Sequence, residues 1–415
     1  MWQECVGTMG SAVVSIAEPW NSATVPVQRE YPDSILAELS GLLFASLPRS
    51  DQRRNGAQYL QGLLLAEGRK SIRNIAFALR PRANEQSLHH FINSSTWDWT
   101  VVRRALAGYV TRMAFPQAWV LFPMTTQMTG EQTVGVQRRF APALGQHVNV
   151  QQAIGVWSSS EQATSPISWR LHLSREWLDD SARRHKASIP DCVRTESLAS
   201  CMTEAMAELD DWDLPDRPVV LDGRGLDAAQ AVLRLGRARR PVLARIDAEL
   251  PLLVTEPALS TAAGRPLRAM QILSGTQATR RLVTWTDDLA AGTKRADVVT
   301  SVRVRMPAGR SGAGEHRMLG GELMLLGVGL PGRPWPSRCW LTNCTDATPS
   351  ALLQLGRALD RVAASAGTIG DEVGIRDFRG RSFDGWHRHV TLASAAYAVT
   401  ELSQRQFRAQ ASNVS

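Results

Sequence analysis

The chain has 415 residues, 44% hydrophobic and 21% charged, with a net charge of +8. That balance excludes a disordered chain, a collagen-like repeat and a small disulfide-stapled domain. The length suits about two or three domains at roughly 150 residues each. Residues 1–28 read as an irregular leader; Glu4 sits where a signal peptide would be positive, so no export signal is expected. Helical spacing of apolar residues predicts helices from Ser34, from Gln52 to Ala66, from Ser71 to Leu79, from Glu85 to Asn93, and from an Asp98 or Thr100 cap to Met113. After Pro116 the texture turns to strands: Ala118 to Phe122, Thr133 to Phe140, Asn149 to Ser158 and Ile167 to Leu173. A helix from Ser197 to Trp212 precedes the buried strand Pro218 to Asp222, a Gly-Arg-Gly turn, the helix Asp227 to Leu235 and the strand Pro241 to Ile246. Strand, turn, helix, strand is a parallel α/β unit. From Leu250 to Asn343 short strands and Gly/Pro turns dominate, with a flexible loop expected over Pro307 to Gly314. Helices follow at Ser350 to Ala366 and Trp386 to Gln404.

No apolar run reaches about 18 residues, so no membrane span is expected. Five cysteines (Cys5, Cys192, Cys201, Cys339, Cys344) lack framework spacing, which fits a reducing cytoplasm. Cys339 and Cys344 have no second pair to complete a zinc site. Gly327-Val-Gly-Leu-Pro-Gly332 fits a dinucleotide pattern, but Pro331 and the Pro-rich stretch after it leave no helix N-terminus for a pyrophosphate. Val219 to Gly225 is similar to the first glycine loop of methyltransferases, but it stands far from the start of its domain and lacks the further glycine.

Charge is unevenly placed. From Arg49 to Phe115 eleven Lys/Arg face four acids, and from Gly223 to Arg245 six arginines face only Asp227. Two basic segments on a mildly acidic body suggest a polyanion-binding surface, although a solvated helix face reads the same way. Short, closely spaced helices bearing arginines are typical of helix-turn-helix DNA-binding modules and also of inert helical caps. Arg53, Arg54, Arg69, Lys70, Arg73, Arg80, Arg82, Arg103 and Arg104 are the candidate DNA contacts, with Arg388 as a further phosphate contact. Trp97-Asp98-Trp99 reads as a packed corner rather than a base-stacking platform. His387 and His389, at i and i+2, fall on different helix faces and so do not share a metal.

Several ordered segments carry a family resemblance. They include Asp51-Gln-Arg-Arg54, Gly62 to Ile72, Gln86 to Trp99, Val134-Gly-Val136, Asn149-Val-Gln151, Ser168-Trp-Arg-Leu171 and Pro218 to Asp222. Near the end come Asp377-Phe-Arg-Gly-Arg-Ser382 and Gly385 to Leu392. Over Leu36 to Leu402 the chain resembles bacterial insertion-sequence transposases of the DDE-superfamily endonuclease type. The resemblance implies an α/β fold: an RNase H-like core with a β-rich insertion, plus an N-terminal helical DNA-binding region. It divides the chain at 29–115, 116–248, 249–345 and 346–415. Such enzymes use three carboxylates on two Mg²⁺ ions that clamp the attacking and leaving oxygens of a phosphodiester.

Here the sequence departs from the family. The first-strand acids align with Phe122-Pro123 and the late Glu with Ala363, leaving Asp222 as a remnant. Asp179, Asp180, Asp371 and Glu372 are the acids that could rebuild a site. The resulting expectation is a sequence-specific double-stranded DNA-binding protein, non-catalytic, cytoplasmic and nucleoid-associated, homodimeric, with no metal or other cofactor. It would serve as a transcription regulator or DNA-architectural factor. The alternative is an active transposase or endonuclease with relocated carboxylates, which alone would need Mg²⁺.

Overall fold

The computed structural model describes residues 33–141, 144–256, 265–287, 293–307 and 321–412. The expected leader at 1–28 and most of the loop expected over 307–314 lie outside these residues.

Five helices open the described chain: α1 (Asp33–Phe44), α2 (Ser50–Leu65), α3 (Ile72–Ala78), α4 (Glu85–Asn93) and α5 (Trp99–Ala114). Three starts follow from side-chain caps. Ser71 accepts from Asn74 N–H, Asn84 from Gln86 and Ser87 N–H, and Asp98 from Thr100 N–H, which satisfies amides a helix leaves unpaired. Four of these helices, α1, α2, α4 and α5, pack against the last helix, α12 (Phe383–Ser412). Every residue of α12 from Phe383 to Thr400 except Asp384 is buried or nearly so, Asp384 being the half-exposed one. Apolar side chains recur all round this helix (Phe383, Trp386, Val390, Leu392, Tyr397, Val399), so it must be covered on every side. That requirement draws the N-terminal helices into the main core, with Leu39, Leu60, Leu63 and Leu106 fully buried in it. They do not stand apart as a separate module.

The sheet begins with β1 (Ala118–Met128), β2 (Val136–Ala141), β3 (Gln146–Ser159) and β4 (Thr164–Leu171). β1 pairs antiparallel with β3 along its whole length, which extends it well past the expected end at Phe122. After two short helices, α6 (Arg175–Leu178) and α7 (Ser181–Lys186), and then α8 (Leu198–Ala207), the chain adds β5 (Val219–Asp222) beside β1, crosses through α9 (Ala228–Arg237), and adds β6 (Val242–Ile246). Both are parallel to their neighbours. Three antiparallel strands followed by two parallel ones, in the order β2-β3-β1-β5-β6, make an RNase H-like core. Pro123 lies past the last β1–β5 pair, where the ladder on that side has ended, so a residue without an N–H is tolerated in the strand.

The β-rich insertion comprises β7 (Pro251–Val254), β8 (Leu267–Arg268), α10 (Ala269–Ser274), β9 (Arg281–Asp287), β10 (Thr293–Arg305), β11 (Leu323–Gly329) and β12 (Arg338–Thr342). β12 pairs antiparallel with β6, so the insertion continues the core sheet. α11 (Pro349–Glu372) then crosses one face of the sheet. Gly356 permits the crossing: a Cβ there would lie 3.1 Å from the Trp340 ring. No helix among the described residues is long and apolar enough to cross a membrane.

Candidate functional site: the carboxyl edge of the parallel strands and the arginine surface

The β1–β5 register ends at Leu121 beside Leu221, which sets Phe122 next to Asp222. Asp222 in turn pairs with Arg245 of β6. Neighbours in register share a face, so Phe122, Asp222 and Arg245 form a row at the carboxyl ends of three parallel strands. That is where open α/β sheets place their ligands. α11 lies over the same face.

Asp222 is 9% exposed and sits under the side chain of Arg224. Arg224 Nε donates to Oδ1 at 2.9 Å, its terminal nitrogen to Oδ2 at 2.6 Å, and its backbone N–H to Oδ1 at 3.2 Å. Both carboxylate oxygens are thus held in a bidentate fork, and this bond raises the Arg224 pKa. Asp247, just past β6, accepts from Gly225 N–H at 2.7 Å. Asp360 of α11 pairs with Arg338 at 3.3 Å, and Arg338 also reaches the buried Asp297 at 3.5 Å. Arg245 makes no direct ion pair among the described residues. Burial pushes its guanidinium pKa down, Arg224 and Arg338 push the same way, and Asp222 and Asp360 oppose them.

The Phe122 end of the row is apolar. Phe122, Met124, Trp157, Trp169, Ala366 and Ile375 line a small pocket under α11, with Asp371 and Arg376 at the same place. Those two form an ion pair with each other. Ala363, where the third carboxylate was expected, is exposed, while Val362 and Ala366 are buried. Asp360 and Asp247, which sequence reasoning passed over, are the acids that join Asp222 in the field of Arg224. Asp360 is the only acid in α11 before Asp371, and it lies four residues, about one turn, after Gly356. Of the other acids considered, Asp180 caps α7, Asp179 is exposed at the end of α6, and Glu372 acts on Lys70.

Two divalent ions need oxygen lone pairs converging from several carboxylates. Here Asp222 is held by Arg224, Asp360 by Arg338, Asp371 by Arg376 and Asp247 by an amide. Among the described residues no group of three or more His, Cys, Asp or Glu is placed to hold a metal. The residues present do not fit a two-metal centre.

The basic residues divide into two groups. Arg53, Arg54, Arg69, Arg73, Arg80, Arg82 and Arg104 are exposed. Arg53 also donates to the Leu47 and Pro48 carbonyls at 2.6 and 3.1 Å, past the end of α1. Lys70, Arg103 and Arg388, expected on the DNA surface, are instead interior, at 5%, 1% and 4% exposure. The Lys70 ammonium donates to the Ala66 carbonyl, and burial pushes its pKa down. Arg388 donates to the carbonyls of Ile92 at 3.1 Å and Trp97 at 3.3 Å and pairs with Asp384. Arg103 ties α5 to β4 and α12. All three close the interior where charge-rich segments meet buried carbonyls, and none can reach a phosphate. The Trp97-Asp98-Trp99 corner is packed: Trp97 stacks on Phe91 and Trp99 on His387.

A family model described as DDE superfamily endonuclease matches residues 42–305. The chain belongs to this family. No curated protein matches the chain. The matched span runs from α1 through β10 and contains Phe122, Pro123 and Asp222, whereas α11, with Ala363 and Asp360, lies beyond it. Within the DDE endonuclease scaffold, the row at the carboxyl edge carries an arginine fork and an apolar wall.

Proposed function

We propose that this member of the DDE endonuclease family binds double-stranded DNA without cutting it, as a transcription regulator or DNA-architectural factor. The observation that carries this reading is the Arg224 fork on both oxygens of Asp222, beside Phe122, which Pro123 follows in the strand. A carboxylate committed to a guanidinium has few lone pairs left for Mg²⁺, and a phenyl ring and a proline offer none. DNA as the partner is supported by the family and by the exposed arginines of the first five helices. A homodimer on an inverted-repeat site would suit this role, since two-fold proteins match two-fold sites.

The second reading is an active endonuclease. Asp247 and Asp360 favour it, because both lie, like Asp222, in the field of Arg224.

The DNA-binding part is tested by fluorescence anisotropy with duplex DNA over a range of salt concentrations. We expect log K to fall with log[salt] by about 0.9 for each phosphate neutralised, to a slope of roughly −5 if about six of the exposed arginines engage. Absent or salt-insensitive binding would overturn this reading.

A further inference from the structure

α3 is short and has two unlike faces. Ile75, Ala76 and Leu79 are buried, whereas Arg73, Asn74, Phe77 and Ala78 are exposed, as is Arg80 just beyond. Phe77 is 65% exposed. The Arg80 guanidinium lies over its ring, 4.9 Å from the centroid. Arg73 precedes Phe77 by four residues, about one helical turn, so both lie on the same face. Arg69 before the helix and Arg82 after it extend the positive charge to both ends. None of these four arginines makes an ion pair among the described residues.

An exposed phenyl ring between unpaired cations calls for an occupant that is both anionic and locally flat and apolar. Duplex DNA has both properties: phosphates spaced along each strand, and base edges, thymine methyls and sugar edges in the grooves between them, with base faces opened where a wedge enters a step. Apolar wedges and aromatic contacts set among basic side chains are a recurrent means of gripping DNA. Building on the DNA-binding reading above, we propose that Phe77 is the base-contacting side chain of this surface, held between phosphate-binding Arg73 and Arg80.

The test compares Phe77→Ala with Arg73→Gln in the intact chain, measuring duplex affinity against salt and thermal melting. Phe77 is exposed, so melting should not change. Phe77→Ala should weaken binding about 5- to 100-fold with the salt slope unchanged, because an apolar contact releases no counterions. Arg73→Gln should weaken binding and reduce the slope by about 0.9. Three results would overturn the proposal. If Phe77→Ala binds as the unaltered chain does, an acidic protein partner becomes the better occupant of this face. If Phe77→Ala reduces the slope as Arg73→Gln does, the ring merely positions Arg80. If the unaltered chain fails to bind any duplex, the inference and the DNA-binding reading fall together.

Discussion

Arg103→Ala is expected to lower folding stability by about 3–5 kcal/mol, through both a cavity and stranded polar groups. The Arg103 guanidinium is fully buried and donates to the Trp169 carbonyl at 2.7 Å and to Thr391 Oγ1 at 2.9 and 3.0 Å. A further N–H faces His387 Nδ1 at 3.2 Å. These bonds join α5, β4 and α12 at one point, and the guanidinium also lies 4.4 Å from the Trp99 ring centroid. Among the described residues no carboxylate pairs with it, and burial pushes its pKa down to about 9, so it remains a cation at neutral pH. Its charge is dispersed over carbonyl, hydroxyl and imidazole acceptors. Lysine cannot reproduce a planar fork with several donors, so Arg103→Lys should also be markedly destabilised. Arg104→Ala, one residue on and exposed, should change stability by no more than about 0.5 kcal/mol. Urea denaturation separates the two: the midpoint should fall steeply for Arg103→Ala at constant slope and hardly move for Arg104→Ala. Equal midpoints would show that Arg103 does not hold the core together.

Stability should also fall as pH drops below about 6.5, driven by buried histidines. Burial lowers the pKa of His387, His389 and His172. His389 Nε2 faces the Gly374 carbonyl at 2.8 Å, which can only accept, so Nε2 carries the proton and Nδ1 accepts from Tyr59 O–H at 2.9 Å. A second proton, on Nδ1, would make the Tyr59 hydroxyl turn from donor to acceptor and would leave a cation in a site where burial opposes charge. His387 Nδ1 is likewise turned toward an Arg103 N–H. In the unfolded chain these imidazoles take up protons near 6.5 while the folded ones do not. The unfolded state therefore binds more protons below that pH, and stability present above 6.5 is lost as pH falls, by about 1.4 kcal/mol per pH unit for each histidine kept neutral. Glu208 and Glu401 act in the opposite sense, since burial raises their pKa and the folded state protonates them first, in a window opening upward from 4.5. Urea midpoints at pH 7.5, 6.5 and 5.5 should show the decline, and His389→Gln should make it shallower. A flat profile would contradict the neutral histidines.

The sequence made much of this architecture legible, for local reasons. Ser71 and Asp98 marked helix starts because a capping side chain must stand at the first turn. Val219 to Asp222 was readable as a buried parallel strand because it is apolar without alternation. What was not legible depends on contacts distant in sequence. β1 outruns its apolar core because β3 pairs with it as far as Asn149. The insertion joins the main sheet through β12 and β6, a pairing with no local signature.

Arg103 was misplaced because arginine is ordinarily a surface residue. The phase of α5 held the correction: Leu106, Ala107 and Val110 are buried at i+3, i+4 and i+7 from it, and Arg104 falls outside that stripe. The candidate centre was half legible. Phe122 falls beside Asp222 in the strand register, but the Arg224 fork on that carboxylate has no signature in the sequence, and Asp360 near Arg224 and Arg245 depends on how α11 crosses the sheet.

The most direct measurement incubates supercoiled plasmid with the unaltered chain and with Asp222→Ala, in Mg²⁺ and in Mn²⁺, at protein concentrations that bind the DNA. The plasmid should be bound, and its topology left unchanged, by both proteins in both metals. Metal-dependent nicking or linearisation by the unaltered chain, abolished in Asp222→Ala, would contradict binding without cutting.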